Sequence, residues 1–93
     1  MRKEGDVKQE VKKTLERMGA WWFMPVPTGY GVKGVPDFIV CLNGRFVGIE
    51  TKFGKNSPSK WQKLQLEKIA SAEGLALVVN EENVHELEEL LTR

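Results

Sequence analysis

The sequence predicts an α/β fold, a small mixed β-sheet flanked by helices in the order α-β-loop-β-β-α-β-α. Three observations carry that prediction. Two apolar runs, residues 34–41 and 46–52, have the length and composition of buried strands. Asn43-Gly44 between them is a strong hairpin signal, so they are expected to pair antiparallel. Helical periodicity lies on both sides of this hairpin, and a further apolar run, residues 75–79, follows the second helix.

Bulk properties set the limits. A chain of 93 residues is expected to form one domain, residues 1–93, with a modest core. No apolar run approaches the ~20 residues needed to span a bilayer, and no secretory leader pattern opens the chain, so no membrane partner is expected. The single cysteine, Cys41, falls in a predicted buried strand and can form no internal disulfide. A reducing, cytoplasmic setting follows as the expectation. Net charge is only +1 but unevenly spread. From Lys33 to Lys68 there are seven basic and three acidic residues, whereas from Ile69 to Arg93 six glutamates face one arginine. The middle of the chain can face a polyanion and the C-terminal part cannot.

Residues 6–18 read as an amphipathic helix. Val7, Val11, Thr14, Leu15 and Met18 form its apolar stripe, Asp6 is placed to cap it and Gly19 to stop it. Glu10 falls at the border of the stripe, roughly 85° from its centre at ~100° per residue. It can look toward a sheet edge or pair with Lys13. Residues 21–24, Trp-Trp-Phe-Met, form a short strand closed by Pro25 and Pro27. Adjacent tryptophans point to opposite faces, so one is core and the other needs cover from a helix, a partner subunit or stacked bases, with core or subunit contact the favoured use. Residues 25–34 hold three glycines, a threonine, a tyrosine and a lysine, and form an irregular loop running into Pro36-Asp37. The P-loop pattern is absent.

The second helix begins at Ser57 or Ser59, with Ser59 and Gln62 spaced as a capping box and Pro58 suited to a first turn. Trp61, Ile69 and Ala72 mark its buried side, with Leu66 at the edge. Gln62 and Gln65 also fall within that side, and a buried glutamine must find partners. Gln62 therefore serves as a cap or reaches the site of Lys52. Gly74 ends the helix and residues 75–79 form a buried strand. Asn80 then caps an acidic helix, residues 81–91, with Val84, Leu87, Leu90 and Leu91 inward and His85 exposed. No Cys/His cluster suggests zinc, and no Ser-His or Cys-His arrangement suggests a nucleophile.

The chemistry gathers at one end of the hairpin. Antiparallel pairing brings Asp37 beside Glu50 and Lys52, and strand alternation puts Glu50 and Lys52 on one face with Thr51 on the other. Two acids and a lysine at a sheet edge are costly unless used. Asp37 and Glu50 supply hard oxygen ligands for Mg²⁺ or Mn²⁺, to which the Thr51 carbonyl can add a neutral one. Lys52 can orient a water or stabilise charge developing on a phosphoryl group. These parts suit phosphodiester hydrolysis. The plainer alternative is a surface Glu50–Lys52 ion pair with Asp37 as a turn residue.

Pro36-Asp37 followed by Glu50-Thr51-Lys52 resembles the PD-(D/E)XK nuclease motif at its usual separation. The wider pattern resembles the VRR-NUC domain within that superfamily. It comprises Gly34-Val35-Pro36-Asp37, Ile49-Glu50-Thr51-Lys52, the Ser59/Gln62 helix start and Gly74. The resemblance covers nearly the whole chain. It implies a restriction-endonuclease-like αβββαβ core, to which the C-terminal helix is added. It further implies Asp37 and Glu50 as metal ligands, Lys52 as the catalytic lysine and Gln62 in support. An acidic residue on the first helix is also implied, with Glu10 the better match and Asp6 the rival. Stand-alone members resemble viral or bacterial resolvase-like nucleases acting in the host cell. The implied partners are branched or structured DNA, with a homodimer to present two sites to a four-way (Holliday) junction.

Overall fold

The Asn43-Gly44 hairpin is the centre of the computed structural model, which describes all 93 residues. Asn43 (φ 54°) and Gly44 (φ 79°) both take the left-handed conformation that a two-residue hairpin turn requires. They join β2 (Phe38–Leu42) to β3 (Arg45–Thr51). The register pairs Leu42 with Arg45, Val40 with Val47 and Phe38 with Ile49. β1 (Trp21–Phe23) adds antiparallel to β2, and β4 (Leu75–Val79) adds parallel to β3, giving the sheet order β1-β2-β3-β4. The sheet is therefore mixed, as the sequence predicts.

One face of the sheet carries the core. Phe38, Val40, Val47, Ile49 and Val79 are buried there with Val7, Val11 and Leu15 of α1 (Glu4–Arg17). Val84, Leu87 and Leu91 close the same cluster from the C-terminal segment. Trp22 looks into this side, 5.7 Å from the Phe38 ring, while Trp21 on the opposite face is 62 % exposed. The second helix, α2 (Lys60–Ser71), lies on the other face against β3 and β4. It comes down on Gly48, where a Cβ would lie 2.7 Å from Ile69 Cδ1.

Several expectations are corrected. α1 starts at Glu4, with Lys3 as its N-cap, so Asp6 sits in the first turn and accepts a hydrogen bond from the Arg2 amide at 2.7 Å. Cys41 is exposed, because β2 buries only its Phe38–Val40–Leu42 side. β4 is a sheet edge and mostly half-buried. In α2 the inward residues are Gln62, Gln65, Leu66 and Ile69, while Trp61 and Ala72 are exposed. The helix has settled on its glutamines, rotated away from the Trp61 side. Pro58 precedes the Ser59 N-cap instead of entering the helix. The left-handed residue after α2 is Glu73 (φ 70°), not Gly74, which is needed because a Cβ there would lie 2.8 Å from Ile69 Cγ2. The last helix is broken. Asn80 Oδ1 caps a turn through the amides of Glu82 and Asn83, and a 3₁₀ turn (Val84–Glu86) then leads into a short α3 (Leu87–Leu91).

Candidate active site

The end of the hairpin opposite its turn brings together Asp37, Glu50, Thr51, Lys52 and Gln62. Asp37 precedes β2, across from the last residues of β3. Its Oδ2 accepts from the Thr51 amide at 2.9 Å and from the Thr51 hydroxyl. Thr51 is wholly buried, so its side chain is committed to fixing this carboxylate. Lys52, just past β3, is anchored by its amide to the Val79 carbonyl of the parallel neighbour at 2.9 Å.

Glu50 is the most constrained of the set. It is 2 % exposed, on the face that α2 covers. Its Oε2 receives Gln62 Nε2 at 2.9 Å and lies 3.3 Å from Lys52 Nζ. Its Oε1 is buried with no hydrogen-bond partner. Burial, and next the nearby Asp37 charge, push the Glu50 pKa up from 4.5 to about 7, against the pull of Lys52. A buried carboxylate oxygen without a donor is unfavourable unless a cation or a proton occupies it.

Gln62 does both things the sequence allows. Its Oε1 accepts from the Ser59 amide at 2.8 Å, completing the capping box, while its Nε2 reaches Glu50. The cap thus locks the amide so that its donor faces the carboxylate. Gly34 sets the height of this helix end. With φ 79° its α-carbon sits so close to α2 that a Cβ would lie 2.3 Å from the Trp61 carbonyl carbon. The loop of residues 25–34 walls an open cleft of about 530 Å³ that reaches Asp37 and Gln62.

Glu10 does not join the group. Its side chain is 44 % exposed and lies 3.5 Å from Lys13, the local i,i+3 pairing. Asp6 is likewise turned to the Arg2 amide, which holds its pKa below the ordinary carboxylate value. The first-helix residue whose charge couples to the site is Lys8, which pairs with Glu4 at 3.0 Å. Burial works to lower the Lys8 pKa, but the Glu4 hydrogen bond and the charges of Asp37 and Glu50 outweigh it and leave it raised. Sequence reasoning missed this pair because it began the helix at Asp6. The signal was available: stepping the Val7–Val11–Leu15 stripe back one turn reaches Glu4.

The sequence matches no family model and no curated protein. A solved structure described as a "VRR_NUC domain" superposes with a TM-score of 0.78 and 26 % identity, over 92 % of this chain and 94 % of that one. The chain has the VRR-NUC fold. This is a nuclease-type fold, and the αβββαβ core expected of VRR-NUC domains is the observed element order with α3 added. Within it, no group of three Asp, Glu, His or Cys side chains gathers as a metal cluster. Asp37 and Glu50 are a pair. Such a pair fits Mg²⁺, which is commonly held by one or two carboxylates and keeps its remaining positions for water and substrate phosphate. The unpartnered Glu50 Oε1 is the atom of this site that fits such an ion.

Proposed function

We propose that this protein is a Mg²⁺- or Mn²⁺-dependent, structure-selective DNA endonuclease, acting on four-way junctions as a homodimer. The observation that carries this reading is the convergence of Asp37, Lys52 and Gln62 on a buried Glu50 that retains an unpartnered oxygen. In this reading residues 1–93 form one catalytic unit.

Asp37 and Glu50 would hold the ion, with the Thr51 carbonyl as a neutral ligand. Bound there, it would supply Lewis-acid polarisation of the phosphoryl oxygen and a more acidic water. The chain's own residues do the rest. Thr51 keeps Asp37 from swinging away. Gln62, locked by the Ser59 cap, orients Glu50. Lys52, 16 % exposed, is placed to steady the attacking water or the charge gathering on the phosphoryl oxygens. On the first helix, Glu4 takes the supporting acidic role through Lys8 in preference to Glu10.

Dimerisation is supported by the outer face of β1–β2, which leaves Trp21, Phe23 and Cys41 exposed beyond the cover of α2. A small domain with a total surface of 6102 Å² has limited area for a branched substrate, and a two-fold pair presents two sites to two strands. No helix is long and apolar enough to cross a membrane.

The test is a cleavage panel of labelled four-way junction, flap and linear duplex with Mn²⁺, run on the wild type and Asp37→Ala, with molecular mass by light scattering. Metal-dependent junction cutting that Asp37→Ala abolishes, by a particle of twice 10.6 kDa, is expected. Equal cutting of flap or duplex would assign a less selective repair or restriction nuclease. Junction binding without cleavage would assign a non-catalytic DNA-binding module.

A further inference from the structure

Beside the site, α2 displays an aromatic ring that the fold does not need. Trp61 is 45 % exposed although it directly precedes Gln62, the residue bonded to Glu50. Two ammonium groups lie over its indole, Lys33 Nζ at 5.4 Å and Lys60 Nζ at 5.3 Å from the ring centroid. The lysines come from different elements. Lys60 opens α2, and Lys33 is delivered by the loop, whose next residue, Gly34, packs directly on the Trp61 backbone. Neither lysine is within ion-pair distance of any carboxylate, nor is the nearby Lys63, whereas Lys8, Lys13, Lys52, Arg17 and Arg93 all are.

Like charges do not gather on one ring without cost. The attraction of each ammonium for the indole face offsets their mutual repulsion. What remains is a positive pair without an ion-pair partner on an exposed aromatic surface, next to the proposed catalytic residues, in a chain of net charge only +1. An anion with a flat apolar part complements it. A nucleotide unit of a DNA strand has both, a phosphate for the lysines and a base or sugar face for the ring.

Resting on the nuclease reading above, we propose that Lys33, Trp61 and Lys60 form a nucleotide seat that holds the substrate strand beside the scissile phosphodiester. The lysines grip a backbone phosphate, and Trp61 carries the adjoining base or sugar. Because Gly34 and Gln62 tie this seat to Glu50, it sets which phosphodiester reaches the site. Trp61 is a positioning residue in this scheme.

The test is fluorescence anisotropy of a labelled four-way junction and a labelled single strand in EDTA, titrated over a salt series. The proteins are the wild type, Lys33→Gln/Lys60→Gln, Trp61→Leu and Trp61→Phe, with thermal melts to confirm folding. Loss of the grip on that phosphate is expected to weaken binding about 10-fold and to reduce the log–log salt slope by about 1. Trp61→Leu should weaken binding about 10-fold with the slope kept, and Trp61→Phe should restore most of it. A wild-type slope in the double lysine variant, or wild-type affinity in Trp61→Leu, would overturn the seat. Cleavage is read separately. If the variants lose affinity as expected but the wild type shows no metal-dependent cutting, the seat stands and the nuclease reading falls. If the wild type binds no DNA, both fall.

Discussion

The two faces of the sheet are built to different rules. Against α1 and the C-terminal segment the sheet buries Phe38, Val40, Val47, Ile49 and Val79 under a continuous apolar layer. Against α2 no helix residue is fully buried, Gly48 and Gly74 let the helix down, and the buried side chains are Pro36 and the carboxylate of Glu50. One face supplies stability, so that the other can hold a group whose burial is unfavourable. Such a division suits a small domain, where a costly polar site must be offset by a core elsewhere.

Two truncations, one on each side of the sheet, separate the roles of the faces most strongly. On the nuclease reading proposed above, Asp37→Ala should lower cleavage at least about 100-fold, since a carboxylate that holds the metal contributes several kcal/mol to the transition state. Asp37→Asn, which keeps an oxygen to accept from the buried Thr51 amide and hydroxyl, should cleave as poorly and leave the chemical denaturation midpoint little changed. Leu15→Ala, in the fully buried stripe of α1, should do the reverse. It should cost about 2–5 kcal/mol of stability by urea unfolding, with the cleavage rate per folded molecule unchanged. If Leu15→Ala slowed cleavage as much as Asp37→Ala, the two faces would not be separable.

The next effect reverses the usual sign of a carboxylate. The Glu50 pKa rises from 4.5 to about 7 on folding, so the folded state binds the extra proton between those values. In EDTA, stability should therefore be highest below about pH 4.5 as far as Glu50 is concerned. It should fall by about 2–3 kcal/mol as pH rises to 7 and level off above. Glu50→Gln should flatten that profile and be more stable than the wild type at pH 8, while cleaving no DNA. A wild-type pH profile in Glu50→Gln would show that the buried carboxylate is not the destabilised group.

A smaller effect separates the acids of α1. Glu4→Gln should lower cleavage about 10-fold, the scale of an outer partner that orients a site, whereas Glu10→Gln should stay within about twofold. Matching losses in single-turnover rates would return Glu10 to the site despite its pairing with Lys13.

Which parts of this were legible in the sequence follows from how local each signal is. The hairpin, its register and the Ser59/Gln62 cap depend on residues within a few positions, and all three appear in the structure. So does the meeting of Asp37 with Glu50 and Lys52, because an antiparallel pair and a two-residue turn leave one register. Exposure was harder to read. Cys41 and Trp61 are apolar and periodically placed, but α2 covers only the β3–β4 half of its face and settles on Gln62 and Gln65. Apolarity states what a side chain would gain by cover, not whether a neighbour is there to give it. Glu4 was missed for a different reason. Asp6 offered a better N-cap by residue type, yet the helix begins at Glu4 with no side-chain cap, one turn before the first buried valine.

The smallest expected effect lies at the far end of α2. Glu73 holds φ 70°, a conformation that costs a non-glycine residue about 1 kcal/mol or more, at the position where helices commonly place glycine. Glycine is instead spent on the next residue, where the Ile69 and Phe46 side chains leave no room for a Cβ. Glu73→Gly should relieve the strain but add freedom to the unfolded chain, for a net gain of about 0.5 kcal/mol. That is a rise of about 2–4 °C in Tm for a domain of this size. Gly74→Ala should move Tm the other way. The asymmetry would show that residue 74 is glycine for its contact with Ile69, while residue 73 carries the backbone strain. An unchanged or lowered Tm in Glu73→Gly would mean that the left-handed Glu73 carries no net strain.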